Sequence, residues 1–500
     1  MYHNDLLNKI MDALHNHVNY FLKKGKDRSG TTPFFVNALD PKSGEAIHLD
    51  TAEVCSDSLL SNPSNQQGWF RLLAAMSYLT GDPSYREAAD AVNKKLFADH
   101  ADKNGLLLWG GHVAYDLLKH ETVYNENKTK VHEVKFCFPD YFLMWEVNPD
   151  ATKRYIEAMW NAHILNWSNL DFNRHGDYDI PFGPLWNHEY KSGSVFFWGE
   201  GLTFINTGSD LYFAAAMLSK LSGEKTPLAW SKRLAYRYIE TRQNDVGISG
   251  YQFSQCMDSY CDGPAVRGDR AQYQLAHLIP DGHLVYEGTI FKPRAAAQRC
   301  QFVLGETLGA DGDDFKNWAY EEVMAWGRQA YREEDNCFIP MLTDGYSLEG
   351  LQLDRKGYFG PAGKVFTPIR ANSDFFWLYA MAYRMCEDDF LWTILRNIGK
   401  GIGVGDIGES KYKKPNWNFE IKKPDIRMIY GLLELYKATY RKEDYHMASC
   451  LADVLLQVNY CDGCFLMNSL VRVDDPLPLA LLHIVATGSG KSLPISSIIR

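Results

Sequence analysis

The 500-residue chain has no apolar run of the roughly 18 residues or more that a membrane-spanning helix needs. It lacks a basic excess too. With 52 Lys and Arg against 62 Asp and Glu, the formal charge is -10, and nucleic acid, which is bound by a surface that displaces counterions, is excluded as a partner. Paired metal-binding thiols are missing: ten cysteines are scattered, and the close pairs Cys256/Cys261 and Cys461/Cys464 have no second pair or histidine beside them. Core or surface thiols of a reduced protein are expected, not a disulfide scaffold. Gly488-Ser489-Gly490-Lys491-Ser492 resembles the end of a phosphate-binding loop, but Val485 stands where its first glycine belongs. The first residues also lack the basic start, unbroken apolar stretch and small-residue cleavage site of a secretory signal. Leu6, Leu7, Ile10, Met11, Leu14, Val18 and Phe21 instead mark an amphipathic helix. A cytoplasmic location is expected.

What the chain does have is core-forming residues, 46% apolar and 14% aromatic, enough for several domains or one large toroid. Helical spacing of apolar residues recurs over 5–24, 65–80, 84–98, 151–167, 209–222, 228–243, 294–308, 313–332, 373–386, 425–440 and 443–459, whereas long strand alternation is scarce. Short turns join neighbours at Leu79-Thr80-Gly81-Asp82-Pro83, Leu221-Ser222-Gly223-Glu224 and Leu308-Gly309-Ala310-Asp311, where glycine ends one helix and a polar residue starts the next. Between these hairpins lie long stretches rich in Gly, Pro, Asn and aromatics, near 100–150, 171–207, 245–292, 335–371 and 403–424. The alternation predicts a ring of helical hairpins with tight turns on one rim and functional loops on the other. No linker or composition break divides 1–500, so one catalytic domain is expected.

Three loops present groups that bind metal or move protons. In Leu108-Trp109-Gly110-Gly111-His112 two glycines permit the backbone turns that aim an imidazole inward. In Val131-His132-Glu133-Val134-Lys135 a short alternation projects Glu133 to one side. The third, from Asp171 to Asp179, holds the adjacent Arg174 and His175, with Tyr178 close behind. Taken singly, the histidines are explained as structural hydrogen-bonding groups, Glu133 as a surface charge and Arg174 as one arm of an ion pair.

The order and separation of Gly-Gly-His112, Glu133 and Arg174-His175, in an all-helical chain of this size, resemble the second polysaccharide lyase family, the manganese-using pectate lyases. The resemblance implies an all-α fold, an α/α toroid of about seven helical hairpins with long loops and short strands on one rim. It implies His112, Glu133 and His175 as ligands of a divalent transition metal, Mn2+ by family habit, and Arg174 as catalytic base. Its substrate would be an anionic galacturonan, cut by β-elimination to 4,5-unsaturated products. Members without a signal are cytoplasmic and exolytic, so disaccharide release from chain ends is expected. Loops 245–292 and 335–371 are long enough to block the cleft.

The chemistry is coherent with these residues. A divalent ion on a uronate carboxylate stabilises the charge that develops as the C5 proton leaves, and a set of two nitrogens and one oxygen suits several first-row metals. Guanidinium is ordinarily protonated. Arg174 is therefore either a neutral base beside the metal or a clamp on a carboxylate while Tyr178 or water takes the proton. Arg267, Arg270, Lys292 and Arg294 are candidate partners of uronate carboxylates. Of Trp109, Trp145, Trp160, Trp167, Trp186 and Trp198, one or two at most are expected to meet sugar. Two other functions compete. An α/α-barrel glycoside hydrolase or sugar epimerase would rely on carboxylates such as Asp177, Asp179, Glu189 and Glu200. A non-catalytic helical-repeat scaffold would bind no metal.

Overall fold

Gly81 and Gly223 adopt left-handed conformations (φ 78° and 79°) that end the helices Gln67–Thr80 and Ile205–Ser222, and after each turn the chain reverses into a second helix. At the first turn the carboxylate of Asp82 caps the new helix by accepting the Ser84 N–H. The computed structural model describes residues 2–50, 59–125, 130–256, 295–356, 360–495 and 498–499. Within them the hairpin is the repeating unit. Gln67–Thr80 pairs with Pro83–Asp99, Tyr141–Val147 with Pro149–His163, and Ile205–Ser222 with Thr226–Ile239. The series continues with Ala295–Leu308 and Asp313–Ala325, Ser373–Cys386 and Asp389–Gly401, and Ile426–Thr439 and Lys442–Asn459. The seventh pair among the described residues closes the ring, for Leu477–Gly488 packs on Tyr2–Lys24 from the other end of the chain.

The two members of a hairpin differ as an α/α toroid requires. The first helix is inner: Ile205–Ser222 is buried without interruption from Thr207 to Ser219, so it has no polar face. The second is outer, and Asp389–Gly401 buries one stripe, Leu391, Trp392, Ile394, Leu395, Ile398 and Gly399. Inner helices touch in sequence, 205–222 on 295–308, then 373–386, 426–439, 477–488 and back to 67–80. The short helix Tyr141–Val147 joins this ring through side chains: Gln67 accepts the Asp140 N–H at 3.0 Å, and Arg71 donates to the Phe138 carbonyl at 2.6 Å. Tight turns connect the C-termini of inner helices to outer ones, so every inner N-terminus lies at the opposite rim, among the long loops. Helix dipoles therefore present their positive ends to that rim.

Among the described residues, sequence periodicity missed three helices. Asp389–Gly401 follows a turn in which Glu387, not glycine, takes the left-handed conformation (φ 50°), so the usual stop signal is absent. Leu477–Gly488 is apolar on all faces because it is an inner helix, and it shows no amphipathic period. Tyr141–Val147 is only two turns long. The predicted 313–332 helix stops earlier: a π turn over Trp326–Ala330 leads into the strand Tyr331–Arg332. No helix among the described residues is long and apolar enough to cross a membrane.

Candidate metal centre and active site

Two-residue strands on the loop rim assemble the site. Val131–His132 pairs antiparallel with Gly176–Asp177, with His132 opposite Gly176, and this pairing sets Glu133 against the Arg174-His175 corner. The third loop joins through backbone: Gly110 makes a parallel bridge to Glu133, and the Gly111 N–H donates to the Glu133 carbonyl at 2.7 Å. Gly110 sits at φ 112°, open to glycine alone, and the Asn62 amide holds its carbonyl at 2.9 Å. Alternation then separates the neighbours. His132 points inward, Nδ1 lying 2.9 Å from Nε2 of His163, whose Nδ1 meets the Asn173 carbonyl at 2.8 Å. Burial pushes both imidazoles down, His163 to about 4, so this pair is neutral and serves to hold the 131–133 and 173–176 segments together.

Glu133 points the other way. His112 Nε2 lies 3.2 Å from Glu133 Oε2 and 3.2 Å from His175 Nε2, and His175 Nε2 lies 3.3 Å from Glu133 Oε1. One ligand atom from each residue falls within 4.8 Å of the others. Ligands about 2.0–2.2 Å from one first-row ion, at right angles to each other, would stand about 3 Å apart, so the donor set and its spacing fit such an ion. Asn125 contributes outside the cluster, its amide 3.0 Å from His112 Nδ1. With oxygen at that contact the amide accepts the Nδ1 proton and leaves Nε2 free toward the cluster. The carboxylate of Glu133 is fully buried. Burial alone would raise its pKa; the hydrogen bond from His175 and the charges of Lys135 and Arg174 outweigh burial and hold the group at about 2. Lys135 Nζ stands 2.8 Å from Oε2, and Arg174 Nη1 3.6 Å from Oε1. The guanidinium also lies 5.7 Å over the Phe204 ring, and its buried Nε makes no hydrogen bond.

Gly111, Glu133 and Lys135 open onto a cavity of about 640 Å³ at the loop rim, bounded across the ring by Arg427, Tyr430 and Asp475. Comparison with known proteins identifies the family. A family model described as periplasmic pectate lyase matches residues 32–500. The chain belongs to this pectate lyase family. A relative from Dickeya dadantii (strain 3937), named pectate disaccharide-lyase, is 26% identical over 505 residues, spanning 97% of this chain and 90% of its own. Among solved structures, a sugar epimerase from a ruminal bacterium is 11% identical with a TM-score of 0.45, covering 81% of this chain and 88% of its own. An unsaturated glucuronyl hydrolase from Bacillus sp. GL1 is 11% identical with a TM-score of 0.42, covering 97% of both chains. By its family the protein is a polysaccharide lyase, and its own ring of helical hairpins is an α/α toroid.

In this pectate lyase the other candidates are distributed unevenly. Tyr178 does not face an open proton path: its hydroxyl donates to the Leu107 carbonyl at 3.2 Å, and its ring sits edge-on to His132. Arg267, Arg270, Lys292 and Arg294 lie outside the described residues. Trp109, Trp160, Trp167 and Trp186 are buried, Trp145 packs against the core, and Trp198 is 41% exposed. Asp177, Asp179, Glu189 and Glu200 are exposed, Asp179 near Lys103 and Glu189 near Lys191. Of the two proposed blocking loops, the described residues of 335–371 do not line the cavity, and 257–294 lies outside the described residues. Lys135 was missed as a site residue, although alternation already put it on the face of Glu133. Asn125 carried no such signal, because only the fold brings it to His112.

Proposed function

We propose that this lyase cleaves polygalacturonate or oligogalacturonides by metal-assisted β-elimination and acts from chain ends, releasing an unsaturated disaccharide inside the cell. The observation that carries the reading is the convergence of His112, Glu133 and His175 with Arg174 standing 3.6 Å from the shared carboxylate. When bound, a divalent ion such as Mn2+ neutralises the uronate carboxylate and makes its C5 proton more acidic. Arg174, held against Glu133 and Phe204, is the group assigned to take that proton. The C5–H electron pair becomes the C4–C5 double bond as the C4–O bond breaks, and the departing oxygen gains a proton from water. Lys135 and Arg427 place positive charge on the cavity wall, where uronate carboxylates need partners. The volume lies within the roughly 300–1,000 Å³ of cavities that enclose small ligands. The name of the Dickeya dadantii relative supports the disaccharide product. Cysteines outside any disulfide, among them Cys300 and Cys464, are consistent with a reducing compartment.

The test is to strip metal from the protein, add polygalacturonate, restore manganese and follow ultraviolet absorbance with product length. A rise on metal addition is expected. Reducing ends without ultraviolet absorbance would mean hydrolysis and overturn the reading.

A further inference from the structure

Two isoleucines from beyond the helix Leu477–Gly488 reach the cavity at the loop rim. After Leu477–Gly488 ends at the tight-turn rim, Lys491 N–H turns back to the Ala486 carbonyl at 2.8 Å, and Leu493 and Ile495 then pack on the core. Ile499 is buried at 2% exposure, and its carbonyl accepts from Nε of Arg299 at 2.7 Å. Arg299, itself 1% exposed, is fixed by Asp374 Oδ1 at 3.0 Å and stacks 4.0 Å over Trp377. Ile498 packs with Trp377 and Tyr430. These partners lie in the first two turns of inner helices 295–308, 373–386 and 426–439, so Ile498 and Ile499 lie at the loop end, opposite Lys491.

Ile498 and Ile499 line the same cavity as Glu133 and Lys135. We infer that Ile498 and Ile499 are the end stop of the substrate cavity and fix how many sugars lie between the chain end and the scissile bond. The inference rests on the reading of the site as a galacturonan lyase. A polymer cut at internal bonds must pass beyond the cavity on both sides, and Ile498 and Ile499 form part of the lining shared with Arg427 and Tyr430. The two isoleucines occupy space that a further sugar would need, so they oppose a longer chain by volume.

The experiment compares three manganese-loaded proteins on polygalacturonate and on a uniform octagalacturonide: the parent, a chain ending at Ser489, and Ile498→Ala/Ile499→Ala. Circular dichroism and manganese titration establish that each is folded. The parent should release one short product with little loss of viscosity, the shortened chain a mixture of longer products with rapid loss of viscosity, and the double variant a smaller shift in the same direction. If the shortened chain fails to fold, the double variant decides. A folded variant that still eliminates but releases the parent's single product overturns the end stop and leaves the lyase reading standing. A mixed ladder from the parent does the same. No unsaturated product from the parent overturns the site reading, and the end stop with it.

Discussion

A side chain at Gly111 would begin 2.1 Å from Oε2 of Glu133, inside the carboxylate's own volume. The glycine therefore makes room for the metal ligand, while Gly110, at φ 112° and with a Cβ position only 2.2 Å from the Glu133 carbonyl oxygen, lets the two backbones meet. Gly111→Ala should push the carboxylate out of line with His112 and His175 without touching a ligand. Manganese affinity is expected to fall at least about tenfold, the range found when groups supporting a ligand are altered. Manganese titration checks the loss, and a thermal melt checks the fold. Unchanged affinity would show that the carboxylate moves freely or does not hold the ion.

That relationship shows what a sequence can and cannot convey here. His112, Glu133, Arg174 and His175 were legible from order and spacing, because each sits at a fixed place in a short loop motif. The Gly-Gly pair was legible as a turn. Its second purpose, space for a carboxylate 22 residues later, depends on the Gly110–Glu133 bridge, which no local pattern announces. Hairpins marked by glycine at the turn were legible too, whereas the turn through Glu387 was silent because a non-glycine takes the left-handed place. Inner helices such as Leu477–Gly488 lose their period when every face is buried. Most of the tryptophans read as core and are core, with Trp160, Trp167, Trp186 and Trp230 packed ring against ring.

Chelation should abolish elimination, and manganese should restore it. His112→Ala, Glu133→Ala and His175→Ala should each weaken manganese binding, because two remaining protein ligands hold an ion poorly. The three should differ in stability. Removing Glu133 leaves Lys135 and Arg174 facing each other without their shared carboxylate, so its melting temperature should fall below those of both histidine variants. Melts of the metal-free proteins decide this. Equal melting temperatures would show that solvent already neutralises the two cations.

Asp475 gives a pH signature separate from the metal site. Burial raises its pKa from 3.8 to about 6, while its carboxylate accepts the Leu477 N–H at 2.9 Å. A carboxyl raised in the folded state keeps its full contribution below the unfolded pKa and loses it as pH climbs through the folded one. Stability should therefore be lost between about pH 4 and 6 on this account. Asp475→Asn keeps the acceptor and removes the charge, so it should stabilise the metal-free protein at pH 7.5 by about 2 kcal/mol, the gap in pKa being discounted for partial exposure. Near pH 4 the gain should vanish. Urea unfolding at both pH values measures it, and an equal gain at both would exclude the titration of Asp475 as its source.

Arg174 and Tyr178 separate the two accounts of proton removal. Tyr178 spends its hydroxyl on the Leu107 carbonyl, so Tyr178→Phe should cost about 1 kcal/mol of stability and leave most turnover intact. Arg174 keeps its buried Nε without a hydrogen bond and its Nη1 near Glu133, a group held in place yet not saturated. Arg174→Lys keeps a cation but loses the planar fork and its reach. If Arg174 removes the C5 proton, kcat should fall about 10²-fold or more while KM and manganese affinity change little. If it only clamps a carboxylate, the loss should appear mainly as a raised KM. Steady-state rates on oligogalacturonides of one length, with manganese saturating, distinguish these. Turnover close to the parent's in Arg174→Lys would reduce Arg174 to an ion-pair partner of Glu133 and send the search for the base to another residue.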